Sequence, residues 1–400
     1  MSSLPIFDRG PSPYFHGREE ILQTFSDYLT LFKKGKGGTT FLIQGAPGAG
    51  KTALLDQCGK RSLSRGWHTA KIKSGALWNP DQLAHSLGMK PRVQFTGGSG
   101  QIGLDDVVKA NVKLDVAVKY ATLTILKIIE SRRKPLLLIL DEAQSLGKPD
   151  IIPSDQRGVV TNVLDYIHNG ELKRPVVLLA AGLGTTFRTF KSFGISRFGK
   201  NCIVQLGALD KESERAVMQD WLIEEGSASG STKVWIDSIA RETHGWPQHI
   251  ISYIEPALES IKSNNCQMTD EGLEYVLERG AEFRKEFYNS RANDIREKQR
   301  QVLANAISDL PLGGTAEYED IIDIIKHEYG QKEAEDLFNK ALDQGIIDER
   351  KSGRYGIPIP SMQTWLLDEY GRERIEVPRD DVRVKVKKHT RDGRKWNQER

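Results

Sequence analysis

The run Gly45-Ala46-Pro47-Gly48-Ala49-Gly50-Lys51-Thr52 fits the phosphate-loop spacing G-x-x-x-x-G-K-[ST] at every fixed position. Glycines at 45, 48 and 50 let the backbone pass close to a polyphosphate, so that successive N–H groups and the start of the next helix point at the anion. Lys51 is then placed to reach the β- and γ-phosphates, and the Thr52 hydroxyl to sit on Mg²⁺. A second constellation lies ninety positions after Lys51, where the apolar run Leu136-Leu137-Leu138-Ile139-Leu140 closes on Asp141-Glu142. An acid at a strand end suits a hydrated Mg²⁺, which assigns Asp141 with Thr52 to the metal. Its neighbour Glu142 projects the other way and is suited to orient or deprotonate an attacking water. Together these residues imply binding and hydrolysis of a nucleoside triphosphate.

The elements that must hold these residues can be read from the surrounding pattern. Thr40 to Gln44 is a short β-prone run before the phosphate loop, and a helix begins with Ala53-Leu54-Leu55 after it. Further strands are expected at 67–72, 136–140, 175–181 and 202–206, with helices at about 18–32, 80–88, 118–131 and 156–168. Strands alternating with helices imply a parallel sheet covered on both faces. Residues 91–116 are glycine-rich and then alternate in Val112-Lys113-Leu114-Asp115-Val116, which leaves a flexible insertion and a small hairpin both open. From Asp210 the pattern is helical, at 211–225, 231–243, 248–262 and within 270–306. The segment 297–370 reads as three helices and two short extended runs joined by Lys351-Ser352-Gly353-Arg354, the order of a winged helix-turn-helix.

Three short motifs give the pattern a family likeness. Tyr14-Phe15-His16-Gly17-Arg18-Glu19 resembles the F-x-G-R-E segment that opens AAA+ ATPases, especially the origin-recognition and STAND branches. Leu140-Asp141-Glu142-Ala143-Gln144 is similar to their Walker B variant, and Gly245-Trp246-Pro247 to the G-x-P turn of their helical lid. The likeness implies an α/β P-loop NTPase sheet domain at 17–208, after an extended lead-in at 1–16. The likeness covers about residues 14–262 and further implies a helical lid at 209–296; a winged helix at 297–370 also fits, and the residues themselves mark a basic tail at 371–400. It implies ATP as the nucleotide, because the lid of that family closes over adenine. Residues 45–52 and Pro247 would contact the nucleotide, and Thr185 is the candidate polar sensor after the fourth strand. Arg197 stands where the family places an arginine finger, which would make it catalytic with Lys51 and Glu142, usually across a subunit boundary. The arginine that often follows the G-x-P turn is Gln248 here.

Composition narrows the partners. A net charge of +3 on 400 residues is no global basic field, but charge is uneven. The third helix of the winged segment, 331–343, is more acidic than basic and would be repelled by phosphates. The wing carries Arg350, Lys351 and Arg354, and the tail clusters Arg383, Lys385, Lys387, Lys388, Arg391, Arg394 and Lys395 round Trp396, which suits DNA better, although such a tail reads equally as a solvated, disordered terminus. A further basic stretch from Arg284 to Arg300 reads as the wet face of a helix. Three widely spaced cysteines exclude a disulfide framework or zinc cluster. Without a membrane-length apolar run or a leader pattern, the expected setting is the cytoplasm and no membrane partner. The expected protein is an ATP-dependent switch that forms homo-oligomers with ATP and passes its state to DNA or a protein. A non-hydrolysing adaptor and an origin-type DNA loader are the alternatives.

Overall fold

The computed structural model of the chain describes residues 13–33, 39–89, 107–226, 232–351 and 353–371. Most of the expected lead-in, the glycine-rich run Thr96–Gly100 and the basic tail beyond Gly371 lie outside the described residues. At its centre is a five-stranded parallel sheet in the order β2-β3-β4-β1-β5. The strands are β1 (Thr39–Gly45), β2 (His68–Ile72), β3 (Leu136–Leu140), β4 (Val176–Gly182) and β5 (Ile203–Leu206). The helices among them are α1 (Glu19–Lys33), α2 (Lys51–Ser64), α3 (Pro80–Ser86), α4 (Val107–Glu130), α5 (Arg157–His168) and α6 (Thr186–Ser192).

Side chains alternate across each strand, so one apolar run feeds two cores. Phe41, Ile43, Leu137, Ile139 and Leu179 point to the face covered by α1 and α2, through Phe25, Leu29, Leu54 and Leu55. Leu42, Leu136, Leu138, Leu140 and Leu178 point to the other, covered by Val160, Val163, Leu164 and Ile167 of α5 and by Ile125 and Ile129 of α4. That double burial accounts for the uninterrupted apolar sequence of β3 and β4. The order places the end of β4 between the ends of β1 and β3, so the phosphate loop and Asp141-Glu142 emerge on the same edge of the sheet.

The alternation at Val112–Val116 is not a hairpin. These residues lie inside α4, which starts at Val107. Five alternating positions cannot separate period 2 from period 3.6, and no Gly or Pro interrupts 107–130 to stop a helix.

A helical unit follows the sheet: α7 (Lys211–Asp220), α8 (Lys233–Thr243), α9 (Pro247–Ser263) and α10 (Asp270–Ala292), with one π turn at Trp221–Glu225 extending α7. Asp210 caps α7 by accepting from the Glu212 and Ser213 N–H groups, and Pro247 opens α9 where a missing N–H costs nothing. Its core is Trp221, Trp235, Ile239, Tyr253, Ile254 and Val276. The last unit holds α11 (Glu297–Ile307), β6 (Ala316–Glu317), α12 (Tyr318–Tyr329), α13 (Gln331–Asp343), β7 (Asp348–Lys351), β8 (Arg354–Gly356) and α14 (Pro360–Tyr370). Its strands form a small antiparallel sheet, β6-β8-β7. β6 and α14 have no counterpart in the sequence pattern: two residues are too short to show a period, and Pro360 masks α14 by opening it at its first turn. The apolar core of this unit, including Leu337, Phe338, Ile346 and Ile347, is continuous with the α1–α2 face of the central sheet.

Candidate functional site

The phosphate loop follows β1 with Gly48 and Gly50 in the left-handed region, at φ 75° and 86°. A side chain at Gly48 would also collide with Gln248. Lys51, the first residue of α2, is buried, and its Nζ donates to the Gly45 and Ala46 carbonyls at 2.9 and 3.0 Å. Burial pulls its pKa down, while Glu142, Asp141 and Asp348 push it back up and Arg291 opposes them. This is a cation that gains from an incoming anion.

Thr52 Oγ1 donates to Asp141 Oδ2 at 2.7 Å, which joins the two motifs across the strand ends. The other oxygen, Oδ1, accepts the Glu142 N–H at 2.9 Å. A hydroxyl and a carboxylate in contact beside a glycine cradle are the hard oxygen donors that Mg²⁺ takes, so the residues present fit that ion. Glu142 has a left-handed backbone, φ 51°, and its exposed carboxylate accepts from Gln144 Nε2. Gln144 in turn accepts the Leu183 N–H at 3.2 Å, so one amide ties Glu142 to the end of β4.

The Gly245-Trp246-Pro247 turn is bonded to the loop it faces. Trp246 Nε1 donates to the Pro47 carbonyl at 3.2 Å, and the Gln248 N–H to the Gly48 carbonyl at 3.1 Å. Gly245 sits at φ 74° against the Leu209 backbone, where a side chain has no room. Its N–H donates to Glu214 at 2.6 Å. Beside Gly50 opens a largely apolar pocket, lined by Tyr14, Phe15, Ala53, Pro247, Ile250 and Ile251 among others. The 14–18 segment is fixed there by the Tyr14–Trp221 edge contact at 5.0 Å and by Arg18, which donates to the Gly207 carbonyl. Such a pocket suits a flat, weakly polar ring.

Gly45 to Thr52, Asp141, Glu142 and Pro247 therefore share one cleft, and two other expected residues stand apart. Thr185 is half-buried at the turn into α6, where it makes no side-chain capping bond. Arg197 is exposed on the loop before β5, where its carbonyl accepts from His168 Nε2 at 2.6 Å. None of the described hydrogen bonds or ion pairs joins Arg197 to Lys51, Asp141 or Glu142.

Two charged residues reach the cleft from the C-terminal half without a sequence signature. Arg291, near the end of α10, has a buried Nε without a partner, and its charge acts on Lys51 and Glu142. The basic stretch around it is not simply a wet face. Arg284 donates to the Glu242 carbonyl, and Arg300 to the Ile295 and Ala292 carbonyls and Tyr370. The second residue, Asp348, opens β7 and is buried. In the expected wing, Arg354 is already held by Thr315 and Glu317.

No protein-family model matches the chain, and no curated protein matches its sequence. Solved structures do match in shape. A Walker-type ATPase of Pyrococcus abyssi is similar at a TM-score of 0.51 and 13% identity, over 89% of this chain and 97% of that one. ORC2 of Aeropyrum pernix in its ADP form gives 0.55 and 14%, over 90% and 95%. The same protein in ADPNP–ADP complexes gives 0.54 and 16%, over 90% and 94%. The chain thus shares its α/β P-loop fold with the Walker-type ATPase and ORC2 structures.

Proposed function

We propose that the protein is an ATPase that binds ATP with Mg²⁺ and works as a nucleotide-dependent switch. The observation that carries the proposal is the Thr52–Asp141 hydrogen bond beside a buried Lys51, because it brings the two motifs within one ion's reach. The likeness to structures whose names record ADP and ADPNP supports the nucleotide class. Adenine would enter the pocket between Tyr14, Ala53, Pro247 and Ile250, and the polyphosphate would lie along Gly48 to Lys51. A divalent cation held by Thr52 and Asp141 would neutralise charge on the β- and γ-phosphate oxygens. Lys51 would exchange its two carbonyl partners for phosphate oxygens. Glu142, oriented by Gln144, would accept the proton of the attacking water.

The finer parts of the reading are proposals of the same kind. The exposed Arg197 would enter a neighbouring copy's site, which would make turnover depend on a homo-oligomer formed with ATP. The C-terminal unit, read as a winged helix, would pass the nucleotide state to DNA or a protein. A second reading, an adaptor that holds ATP without turnover, draws on Gln248: its backbone is bonded to the loop and its side chain brings no positive charge.

The test is steady-state ATP hydrolysis by the full chain, alone and with duplex DNA, beside Lys51→Ala and Glu142→Gln. Turnover that rises with DNA and disappears in both variants supports the DNA-coupled switch. Binding without turnover, unchanged by DNA, overturns it in favour of the adaptor.

A further inference from the structure

Strand β4 lies between β3 and β1 in the sheet, so whatever stands at its end faces the cleft from the middle. The residue there is Gly182, paired with Gln44 of β1. The space a side chain would take at 182 is already filled. A Cβ there would overlap both Gln144 Oε1 and Thr186 Oγ1, and would stand 3.2 Å from the Gln144 backbone nitrogen. Thr186 has no room to retreat, because it is fully buried and its hydroxyl donates to the Leu183 carbonyl at 2.5 Å. The polar group at the end of β4 therefore comes from the turn after β3, Ala143–Gly147, and a glycine admits it.

Gln144 is held at both ends of its amide. Oε1 accepts the Leu183 N–H at 3.2 Å, and Nε2 donates to Glu142 Oε2 at 2.5 Å. Reversing the amide would set donor against donor at one end and oxygen against carboxylate at the other, so only one orientation satisfies both partners. The turn that carries it is pinned as well. The Ser145 N–H donates to the Glu142 carbonyl at 2.9 Å, and the Ser145 and Ser74 hydroxyls share a bond of 2.6 Å. Glu142 needs such a hold, since an exposed carboxylate on a left-handed backbone has many rotamers to lose before it can aim at one water.

We propose that Gln144 and Gly182 act as one unit that positions Glu142, so that the end of β4 sets where the acid meets the attacking water. The inference rests on the hydrolytic reading above and deepens it. Gln144 is a positioning residue, because it acts through Glu142 and not on the nucleotide. The unit couples two distant parts of the chain. For turnover, a side chain at 182 matters only while the glutamine amide is there to be evicted.

The experiment uses the full chain, with ATP and Mg²⁺ for steady-state kinetics and without nucleotide for amide hydrogen exchange at Leu183. Gln144→Ala is expected to lower kcat by about tenfold to a hundredfold with KM close to the wild-type value, because a misaimed base costs rate and not binding. Its Leu183 amide should exchange about tenfold faster for want of its acceptor. Gln144→Glu separates the two ends of the side chain. One carboxylate oxygen still takes the Leu183 N–H, so protection stays, while the other faces Glu142 and kcat falls at least as far as in Gln144→Ala. Gly182→Ala evicts the amide without changing either partner and should match Gln144→Ala in both readouts. In the double variant the added methyl still crowds Thr186 and lowers stability, but turnover should stay at the Gln144→Ala level. A Gln144→Glu protein with the wild-type kcat overturns the proposal, as does a double variant whose two losses of rate multiply. If Gly182→Ala does not fold, the kcat of Gln144→Glu decides by itself. A wild type that binds ATP without turnover removes the hydrolytic reading and the proposal with it, a distinct result because it precedes any variant.

Discussion

Of the three acids that act on Lys51, Asp141 and Asp348 are held in different ways. Asp141 is half-buried at the end of β3, with one oxygen accepting from Thr52 and the other from a backbone N–H. Asp348 is buried on a strand of a different unit, with the Glu349 N–H, one long bond from the Gln205 amide and no ion pair among the described residues. The first has both carboxylate oxygens met by close donors, one of them the Thr52 hydroxyl that would give way to a cation in the proposed function. The second is an ionised group in a poor solvent, which is stable only while nothing worsens its surroundings. The difference teaches that the same residue type can sit exposed to a hydroxyl donor or be buried with only weak side-chain support, and that burial separates the two.

The contrast is broken most severely at the lysine. Lys51→Ala should weaken ATP and ADP binding by at least about a hundredfold, since the buried cation and the charge-assisted bonds to phosphate go together. Calorimetry with each nucleotide measures it, and retained micromolar affinity would refute the placement. Glu142→Gln should separate binding from chemistry, with turnover down by about 10²–10⁴-fold and affinity near the wild-type value.

The comparison also explains what the sequence could and could not disclose. Gly45 to Thr52 and Leu136 to Glu142 were legible because phosphate chemistry needs those residue types at fixed local spacing. The parallel sheet was legible for a similar reason, since strands buried on both faces must be apolar throughout. Asp348 was not, because an acid after Ile346-Ile347 has the look of any strand meeting solvent. Only the approach of Gly184, distant in the chain, gives it meaning. Arg291 was hidden likewise among basic residues that suited a solvated helix. The alternation at 112–116 misled because it was too short to carry a period, and the helix that contains it is set by its neighbours. Thr185 and Arg197 were expected from the family pattern alone; they stand at the turn into α6 and on the loop before β5, and nothing described ties either to the lysine.

A pH titration sharpens the contrast. The folded protein holds the Asp348 carboxyl at about 6, above its ordinary value of 3.8, so the fold binds a proton there more tightly than the unfolded chain. Its contribution is fully present below about pH 4 and is lost as pH rises through 6, a swing of up to about 3 kcal/mol at roughly 1.4 kcal/mol per unit. His249 works in the other sense. Burial pulls it down to about 3, so the stability it contributes by staying neutral is present above about pH 6.5 and is lost as pH falls. The difference in unfolding free energy between wild type and Asp348→Asn, followed from pH 4 to 7, isolates the carboxylate. A difference that does not change with pH would show that Asp348 is not strained by its seat.

The smallest effect expected comes from a single methyl group. Gly184→Ala adds a Cβ where the Asp348 carboxylate now packs, and the corner that joins α13 to β7 must move away while the sheet and the Thr52–Asp141 pair stay as they are. Overpacking of this kind typically costs about 1–3 kcal/mol, and here much of it can be relieved by the corner giving way. The variant should therefore unfold a few degrees lower, and its segment 345–356 should exchange faster even without nucleotide. Its ATPase rate should not fall, because Lys51, Asp141 and Glu142 lie outside the displaced contact. Combined with Asp348→Asn, whose carboxamide fills the same space, the exchange effect of Gly184→Ala should persist, while the carboxylate's pH dependence should not. That split would separate space, which the methyl contests, from charge, which the titration reads.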